Sequence, residues 1–313
     1  MKPAVVSINE VVTRDGFQIE QRWVPTDEKV ALINRISCTG VSRIEVSSFV
    51  SPAAVPNLRD AADVFATIAR NPAVTYVALV PNIRGFERAL AAHVNEVNLV
   101  MSASETHNRA NMGMNCAASL DGFARICTRR GSDGPKINGT IATAFGCPFE
   151  GPQSETRVLS LIEHYLNLGM NSITLADTTG IADPRQVASL VTRTIQQFPA
   201  APLTLHFHNT RGMGLANILA AYDAGARSFD GSIGGIGGCP FAPSASGNVC
   251  TEDVVHMFSR MSVETGVNLD MLIEISSTLP QLIGHDTPGQ IVKAGASARR
   301  FPAPALVREG AAR

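Results

Sequence analysis

The segment LTLHFHNTRGMGLAN, residues Leu203 to Asn217, runs from apolar residues through a polar turn into a stretch with helical periodicity. This pattern is typical of a β-strand followed directly by a helix. Residues two apart in a strand point to the same face, so His206 and His208 should converge while Phe207 points away. Two converging imidazoles at a strand end suit a divalent cation, although paired histidines also serve as hydrogen-bonded core residues.

The same strand-and-helix unit recurs along the whole chain. We predict eight strands, over Ser7–Thr13, Arg43–Phe49, Thr75–Val80, Glu96–Ser102, Lys136–Ala144, Ser172–Ala176, Leu203–His208 and Ser228–Ile233. The helices predicted between and after them span Thr26–Cys38, Leu58–Ala69, Ile83–His93, Asn115–Arg130, Ser154–Leu168, Pro184–Phe198, Met213–Ala224 and Thr251–Thr265. Eight βα units predict an α/β protein with a parallel sheet, and their number predicts a closed (β/α)8 TIM barrel.

The limits of the barrel follow from where the repeating pattern stops. We predict a barrel domain over residues 1–285 and a C-terminal tail over 286–313, which would form an additional helix, contact a partner or be partly disordered. A doubly wound open sheet is the alternative fold, but its glycine-rich turn after the first strand is replaced here by Arg14-Asp15-Gly16-Phe17. Two helix starts are recognisable, with Thr26 and Asp183 as the predicted N-caps.

The composition argues against several classes of protein. The net charge is −1 and the chain has no Lys/Arg cluster, so we expect neither nucleic acid nor an anionic membrane surface as a partner. No apolar run approaches the roughly 20 residues of a spanning helix, and the N-terminus lacks a signal-peptide pattern, which favours a cytoplasmic protein. Six cysteines without a Cys-x-x-Cys pair argue against a disulfide framework and a zinc cage.

Polar residues that follow several predicted strands suggest a metal site. Catalytic groups of TIM barrels lie at the carboxyl ends of the strands, where Asp15, His206, His208 and Asn248 would meet. A carboxylate, an amide oxygen and two imidazoles leave room for substrate oxygens. Such a set favours Mg²⁺ or Mn²⁺ and tolerates Zn²⁺ or Co²⁺.

Three further residues at this rim each allow two interpretations. Arg14 would stabilise a developing enolate or oxyanion, or form an ion pair with Glu45 or Asp177. Cys239 lies in a glycine-rich loop and would transfer a proton while the loop closes over a ligand, or it is an incidental thiol in a packed turn. Asp177 would support a rim histidine or transfer a proton, or it caps the following turn.

Six sequence motifs together resemble one known family. They are RDGFQ (Arg14–Gln18), IEVSSFVSP (Ile44–Pro52), FGCPFEG (Phe145–Gly151), LADTTG (Leu175–Gly180), HFHNTRGMGLAN (His206–Asn217) and GGIGGCPFAPSASGN (Gly234–Asn248). The chain is similar, from Ser7 to about Gly284, to the 3-hydroxy-3-methylglutaryl-CoA lyases, which belong to the DRE-TIM metallolyases. The loop that carries Cys239 and Pro240 is the most specific of the motifs.

The resemblance implies a role for each matching residue. Asp15, His206, His208 and Asn248 would bind the metal, and Gln18 would lie near the substrate. The implied reaction is a retro-Claisen cleavage of an acyl-CoA, as in leucine degradation. His206 or Asp177 would help to remove the hydroxyl proton. Arg14 would stabilise the enolate oxygen and Cys239 would protonate its carbon; Glu45 matches a further catalytic glutamate of the family.

Two departures from the family pattern concern the acyl group of the substrate. The expected lysine of the first motif is Gln21, and the pair of histidines is followed by Asn209-Thr210-Arg211 rather than by Asp-Thr. A citramalyl-CoA or another 3-hydroxyacyl-CoA is therefore an alternative substrate. By family analogy we expect a homodimer or a higher homo-oligomer.

Three other functions share parts of the pattern. A Claisen-condensation synthase would use the same metal set, but the Cys239 loop argues against it. A decarboxylase or carboxyltransferase would need a lysine at a strand end, and none of the predicted strands ends in one. A catalytically silent metal-binding barrel would lack a ligand or the proton donor, and the chain has the full set.

Overall fold

Eight parallel strands close into a barrel in the computed structural model, which describes residues 5–238 and 247–300. The strands are β1 Ser7–Glu10, β2 Arg43–Ser48, β3 Thr75–Leu79, β4 Glu96–Ser102, β5 Lys136–Ala142, β6 Ser172–Asp177, β7 Leu203–Phe207 and β8 Ser228–Gly231. Each strand pairs with its neighbours in chain order, and β8 pairs with β1. The predicted TIM barrel is therefore confirmed.

The helices surround the barrel and follow the strands in alternation. They are α1 Thr26–Ile36, α2 Ala61–Thr67, α3 Ile83–Ala91, α4 Glu105–Met112, α5 Cys116–Arg130, α6 Glu155–Asn167, α7 Pro184–Gln197, α8 Gly214–Asp223, α9 Thr251–Arg260, α10 Leu269–Ile283 and α11 Ile291–Ala294. Among the described residues, no helix combines the length and the apolar character needed to cross a membrane. A short antiparallel pair, Gly146–Cys147 with Gly151–Pro152, folds back over the end of β5.

The first strand is shorter than predicted, and this difference shapes the site. The strand ends at Glu10, and residues Val12–Gly16 form a single π-helical turn. The Glu10 carboxylate accepts hydrogen bonds from the backbone N–H groups of Val12, at 2.9 Å, and Ile233, at 3.0 Å. These bonds hold the chain where it leaves the β-ladder. The turn brings the side chains of Arg14 and Asp15 together, which an extended strand would not allow.

The two predicted helix caps have different outcomes. Asp183 is the N-cap of α7, and its side chain accepts from the backbone N–H groups of Arg185 and Gln186. The prediction for Thr26 is wrong, because Pro25 occupies the N-cap of α1 and the Thr26 hydroxyl instead donates to Asp60 at 2.8 Å.

Two helices were not predicted. The short helix α4 has a polar sequence without an apolar stripe, and it begins at Ser104, whose side chain accepts from the backbone N–H of His107. The helix α10 contains Pro280 and begins at an Asn268 cap. In α4, local capping and tertiary packing outweigh the sequence pattern, whereas the buried residues of α10 from Leu272 to Ile283 do follow helical periodicity.

The inside of the barrel is polar, whereas apolar side chains fill the layer between the strands and the helices. The Asn138 amide donates to Asn98 and to Thr174, both at 3.0 Å, and the Thr140 hydroxyl donates to Asn98 at 2.7 Å. Buried polar groups are tolerated when they satisfy one another in this way. This network supports the floor of the site described below.

Gly139 on β5 makes room for a buried aromatic ring. A methyl group at this position would overlap the ring of Tyr165 and the sulfur of Met170. We expect Gly139→Ala to lower the free energy of unfolding by about 1–3 kcal/mol through overpacking, measured by denaturant titration. Gly122→Ala in α5 is the matched control, because its methyl would meet no atom within 4 Å. That change should stabilise the helix by roughly 0.5–1 kcal/mol, and equal effects at both positions would contradict the packing argument.

Candidate metal centre

Three potential metal ligands converge at the carboxyl end of the barrel. Asp15 comes from the π-helical turn after β1, His206 from β7, and His208 from the residue just beyond that strand. The Nε2 atoms of His206 and His208 lie 4.0 and 3.8 Å from Asp15 Oδ2, and all three side chains are buried. The structure thus brings the two histidines to one point, as the two-residue spacing predicts.

Asn248 completes the cluster from the segment after β8. Its Nδ2 donates to Asp15 Oδ2 at 2.7 Å and to the carbonyl of Ile236 at 3.1 Å. Its Oδ1 is buried and has no hydrogen-bond partner among the residues that the structure describes. A buried oxygen without a donor is costly, whereas it can serve as a ligand for a cation. One carboxylate, two imidazoles and this amide oxygen therefore fit a divalent cation.

The protonation states of Asp15 and His208 suit metal binding. Burial acts to raise the pKa of Asp15, but the positive charges of Arg14, His206 and His208 outweigh it and lower that pKa to about 2. Burial, and then the nearby His206, lower the pKa of His208 to about 4. Asp15 is thus an anion and His208 is neutral at neutral pH, which are the forms that bind metals.

Arg14 bridges two carboxylates at the edge of the cluster. Its Nε donates to Glu45 Oε2 and its Nη1 to Asp15 Oδ1, each at 2.5 Å. Burial acts to lower the pKa of Arg14, but the charges of Glu45 and Asp15 raise it overall, so the guanidinium stays protonated. The ion pair with Glu45, one of the two interpretations of Arg14, is therefore present. Its Nη2 also lies 2.5 Å from Glu45 Oε2, and the side chain keeps 12% of its surface exposed.

Gln18 holds the aspartate from the other side. Its Nε2 donates to Asp15 Oδ1 at 2.8 Å and to the carbonyl of Gly238 at 3.2 Å. It thereby ties the π-helical turn to the glycine-rich segment. The contact of Gln18 with substrate stays a prediction.

Asp177 is buried at the end of β6 and binds the turn that follows it. Its two oxygens accept from the backbone N–H groups of Ile181, at 3.0 Å, and Ala182, at 3.2 Å, as expected of a residue that caps a turn. Burial outweighs these bonds and raises the pKa of Asp177 to about 6. The side chain can therefore change its protonation state near neutral pH.

Cys239 and Arg211 are the two other rim residues that the sequence singles out. Cys239, the predicted proton donor, lies outside the described residues. Arg211 donates through Nη1 to the carbonyls of Thr179, at 2.8 Å, and Gly180, at 3.3 Å. It thus joins the segments that follow β6 and β7.

Several residues that support the site were not predicted. Asp230 on β8 accepts from His206 Nδ1 at 3.2 Å, and the Asn98 amide donates to Glu45 at 2.9 Å. Glu252 accepts from the backbone N–H of Gly234 at 3.2 Å and so fixes the start of the glycine-rich segment. The position of Asp230, one residue before the end of the last strand, is the available sequence signal, because it places that residue beside His206 in the ladder.

Comparison with known proteins gives a consistent group of relatives. Residues 5–279 match the family model described as HMGL-like. The chain is 43% identical over 292 residues to a hydroxymethylglutaryl-CoA lyase of Bacillus subtilis, covering 92% of this chain and 96% of that protein. It is also 43% identical over 300 residues to the (R)-citramalyl-CoA lyase of Chloroflexus aurantiacus, covering 93% and 95%.

A solved structure extends the likeness to the whole fold. It is that of an HMG-CoA lyase from Acinetobacter baumannii in complex with coenzyme A and 3-methylmalate, and it is 54% identical in sequence. The two chains superpose with a TM-score of 0.94 over 97% of this chain and 99% of that one.

Proposed function

Because this chain belongs to the HMGL-like family and is a carbon–carbon lyase, we propose that it cleaves 3-hydroxy-3-methylglutaryl-CoA, or a closely related 3-hydroxyacyl-CoA, with the help of a divalent cation. The products would be acetyl-CoA and a keto acid, which is acetoacetate for the named substrate. The observation that carries the proposal is the convergence of Asp15, His206, His208 and Asn248 at the rim of the barrel.

We propose Mg²⁺ or Mn²⁺ as the cation held by these four residues. Their carboxylate and amide oxygens favour such hard ions, and the set leaves room for substrate oxygens as further ligands. When bound, the cation would act as a Lewis acid on an oxygen of the substrate. Asp15 is central to the set, because Arg14, Gln18 and Asn248 all donate to it and fix its orientation.

The side chains around the cluster account for the proton transfers of a retro-Claisen cleavage. A base, His206 or Asp177, removes the proton of the 3-hydroxyl, and that oxygen becomes the carbonyl of the keto acid. The electrons of the broken carbon–carbon bond pass to the acetyl-CoA fragment as an enolate. Arg14 stabilises the enolate oxygen, and Cys239 supplies a proton to the enolate carbon.

Both candidate bases are held by hydrogen bonds. Burial raises the pKa of Asp177 to about 6, which leaves it mostly ionised at neutral pH and basic enough to accept a proton, while its two oxygens accept from Ile181 and Ala182. His206 lies with Nδ1 3.2 Å from Asp230, and its Nε2 has no hydrogen-bond partner as near as that among the described residues.

A citramalyl-CoA-type lyase is the second candidate. The identity to the citramalyl-CoA lyase equals that to the Bacillus hydroxymethylglutaryl-CoA lyase, at 43%. The 54% identical relative was solved with 3-methylmalate, a hydroxy dicarboxylic acid. Both candidate substrates carry a hydroxyl on the carbon two bonds from the thioester and a carboxylate beyond it, so the same residues would serve either one.

The remaining expectations are proposals by family analogy. We propose that the barrel domain spans residues 1–285 with a tail over 286–313, and that the protein forms a homodimer or higher homo-oligomer in the cytoplasm. Light scattering coupled to size-exclusion chromatography tests the oligomeric state.

Removal of the metal is the direct test of the proposed function. After dialysis against a chelator, we expect the release of acetyl-CoA from 3-hydroxy-3-methylglutaryl-CoA and citramalyl-CoA to fall by about 10³-fold or more and to return with Mg²⁺ or Mn²⁺. His206→Ala and Cys239→Ala should remain inactive after metal is restored. His164→Ala, at an exposed position of α6, is the matched control and should retain activity. Failure of the folded, metal-loaded protein to cleave either thioester would refute the proposal, and the preferred thioester decides between the two candidates.

A further inference from the structure

We propose that Asp230 is a positioning residue that sets the tautomer and orientation of His206, and that Asn9 in turn holds Asp230. The inference rests on the metal-binding role of His206 proposed above. His206 Nδ1 lies 3.2 Å from Asp230 Oδ2, while Nε2 of the same ring faces Asp15 Oδ2 at 4.0 Å. The ring is thus placed between two carboxylates that engage opposite nitrogens.

A neutral imidazole has one N–H and one lone pair, on different nitrogens. A carboxylate beside Nδ1 keeps the proton there, because a carboxylate can only accept. The lone pair then stays on Nε2 and points toward Asp15, where a cation would bind. Partners of this kind raise the basicity of a ligating histidine and fix its orientation.

Asn9, Asp230 and His206 form a row of ladder partners that crosses three adjacent strands. Asn9 on β1 is the ladder partner of Asp230 on β8, and Asp230 is the ladder partner of His206 on β7. The Asn9 Nδ2 donates to Asp230 Oδ1 at 2.9 Å and to Ser228 Oγ at 3.2 Å. One oxygen of Asp230 therefore faces an amide donor and the other faces the histidine.

A similar arrangement supports Arg14 at the neighbouring strand β2. There the Asn98 amide donates to one oxygen of Glu45, and the other oxygen accepts from Arg14. In both places an amide inside the barrel holds a carboxylate that orients a residue of the site. His208 differs, because within the described ranges its buried Nδ1 has no hydrogen-bond partner, so Asp230 acts on His206 specifically.

The order of donors and acceptors from Asn9 through Asp230 to His206 makes the proposal testable. In Asp230→Asn, the new amide must place its NH2 group against either Asn9 Nδ2 or His206 Nδ1. Facing Asn9, two donors would oppose each other. Facing His206, the amide would drive the proton onto Nε2 and remove the lone pair from the metal side. Exchanging the groups, in Asn9→Asp with Asp230→Asn, restores an acceptor beside each donor.

The experiment is a titration of each variant with Mn²⁺ alone, followed by electron paramagnetic resonance. We expect Asp230→Asn to bind Mn²⁺ about 10–100-fold more weakly than the unchanged protein, and the exchanged double variant to recover most of that loss. Thr194→Val is the matched control, because Thr194 is a buried polar residue of α7 whose hydroxyl pairs with the carbonyl of Leu190. Its Mn²⁺ affinity should be unchanged.

The outcomes separate this inference from the proposed function. If the unchanged protein binds no Mn²⁺, the metal-dependent function itself fails. If that protein binds Mn²⁺ and Asp230→Asn binds it equally well, the positioning role is overturned. The positioning role is also overturned if the single variant and the exchanged double variant bind Mn²⁺ equally weakly while circular dichroism shows that both are folded. If Asp230→Asn does not fold, Asp230→Ala is titrated instead, with the same expected loss and the same refuting result.

Discussion

Replacing Asp15 by asparagine is expected to weaken Mn²⁺ binding by roughly 100-fold or more, because the cation loses the one negative charge of the proposed ligand set. The rate of thioester cleavage should fall by about 10³-fold, since Lewis-acid assistance supplies several kcal/mol. The shape of the side chain is preserved, but one of its two acceptor oxygens becomes a donor NH2 group. Arg14 and Gln18 donate to one oxygen of Asp15, and Asn248 donates to the other, so a new NH2 group meets a donor in either orientation.

The measurement combines a Mn²⁺ titration with an acetyl-CoA assay at saturating metal. Asp183→Asn is the matched control, because the same exchange at the N-cap of α7 replaces one good capping residue with another, away from the site. Both its metal affinity and its activity should be unchanged. If Asp15→Asn binds Mn²⁺ as tightly as the unchanged chain, Asp15 is not a ligand of the cation.

Much of the barrel could be predicted because each strand has a short apolar or β-branched run of its own in the sequence. All eight predicted strands are present in the described part of the chain, and the spacing of two placed His206 and His208 on one face. The end of β1 could not be predicted from local pattern. It depends on the carboxylate of Glu10 reaching Ile233, a contact between the first strand and the segment after the last.

The candidate site also has a part that could be predicted from the sequence and a part that could not. The carboxyl ends of parallel strands meet at one rim, so Asp15, the histidines and Asn248 could be grouped from the sequence alone. The supporting row of Asn9 and Asp230 could not, because those residues are 221 positions apart and their pairing depends on the register in which the barrel closes. The role of Cys239 stays a prediction, since that residue lies outside the described ranges.

Replacing Arg14 by lysine is expected to lower kcat by about 10²–10³-fold, the typical loss when a group that stabilises a developing oxyanion is removed. The guanidinium binds Glu45 through Nε and Nη2 and Asp15 through Nη1 at once, and the side chain keeps 12% of its surface exposed. A lysine ammonium is a compact charge on a flexible stem and cannot keep both contacts while facing the enolate. The metal ligands themselves are unchanged, so Mn²⁺ affinity should stay within a few-fold.

The comparison of kcat with Mn²⁺ affinity decides what Arg14 does. Arg129→Lys is the matched control, because Arg129 lies exposed on α5 in an ion pair with Glu87, and its activity should not change. A large loss of kcat with metal affinity retained assigns Arg14 to charge stabilisation in the reaction. Equal losses of kcat and of Mn²⁺ affinity would mean that Arg14 acts through the orientation of Asp15. An unchanged kcat would leave Arg14 with only its structural ion pairs to Glu45 and Asp15 and would contradict a role in stabilising the enolate.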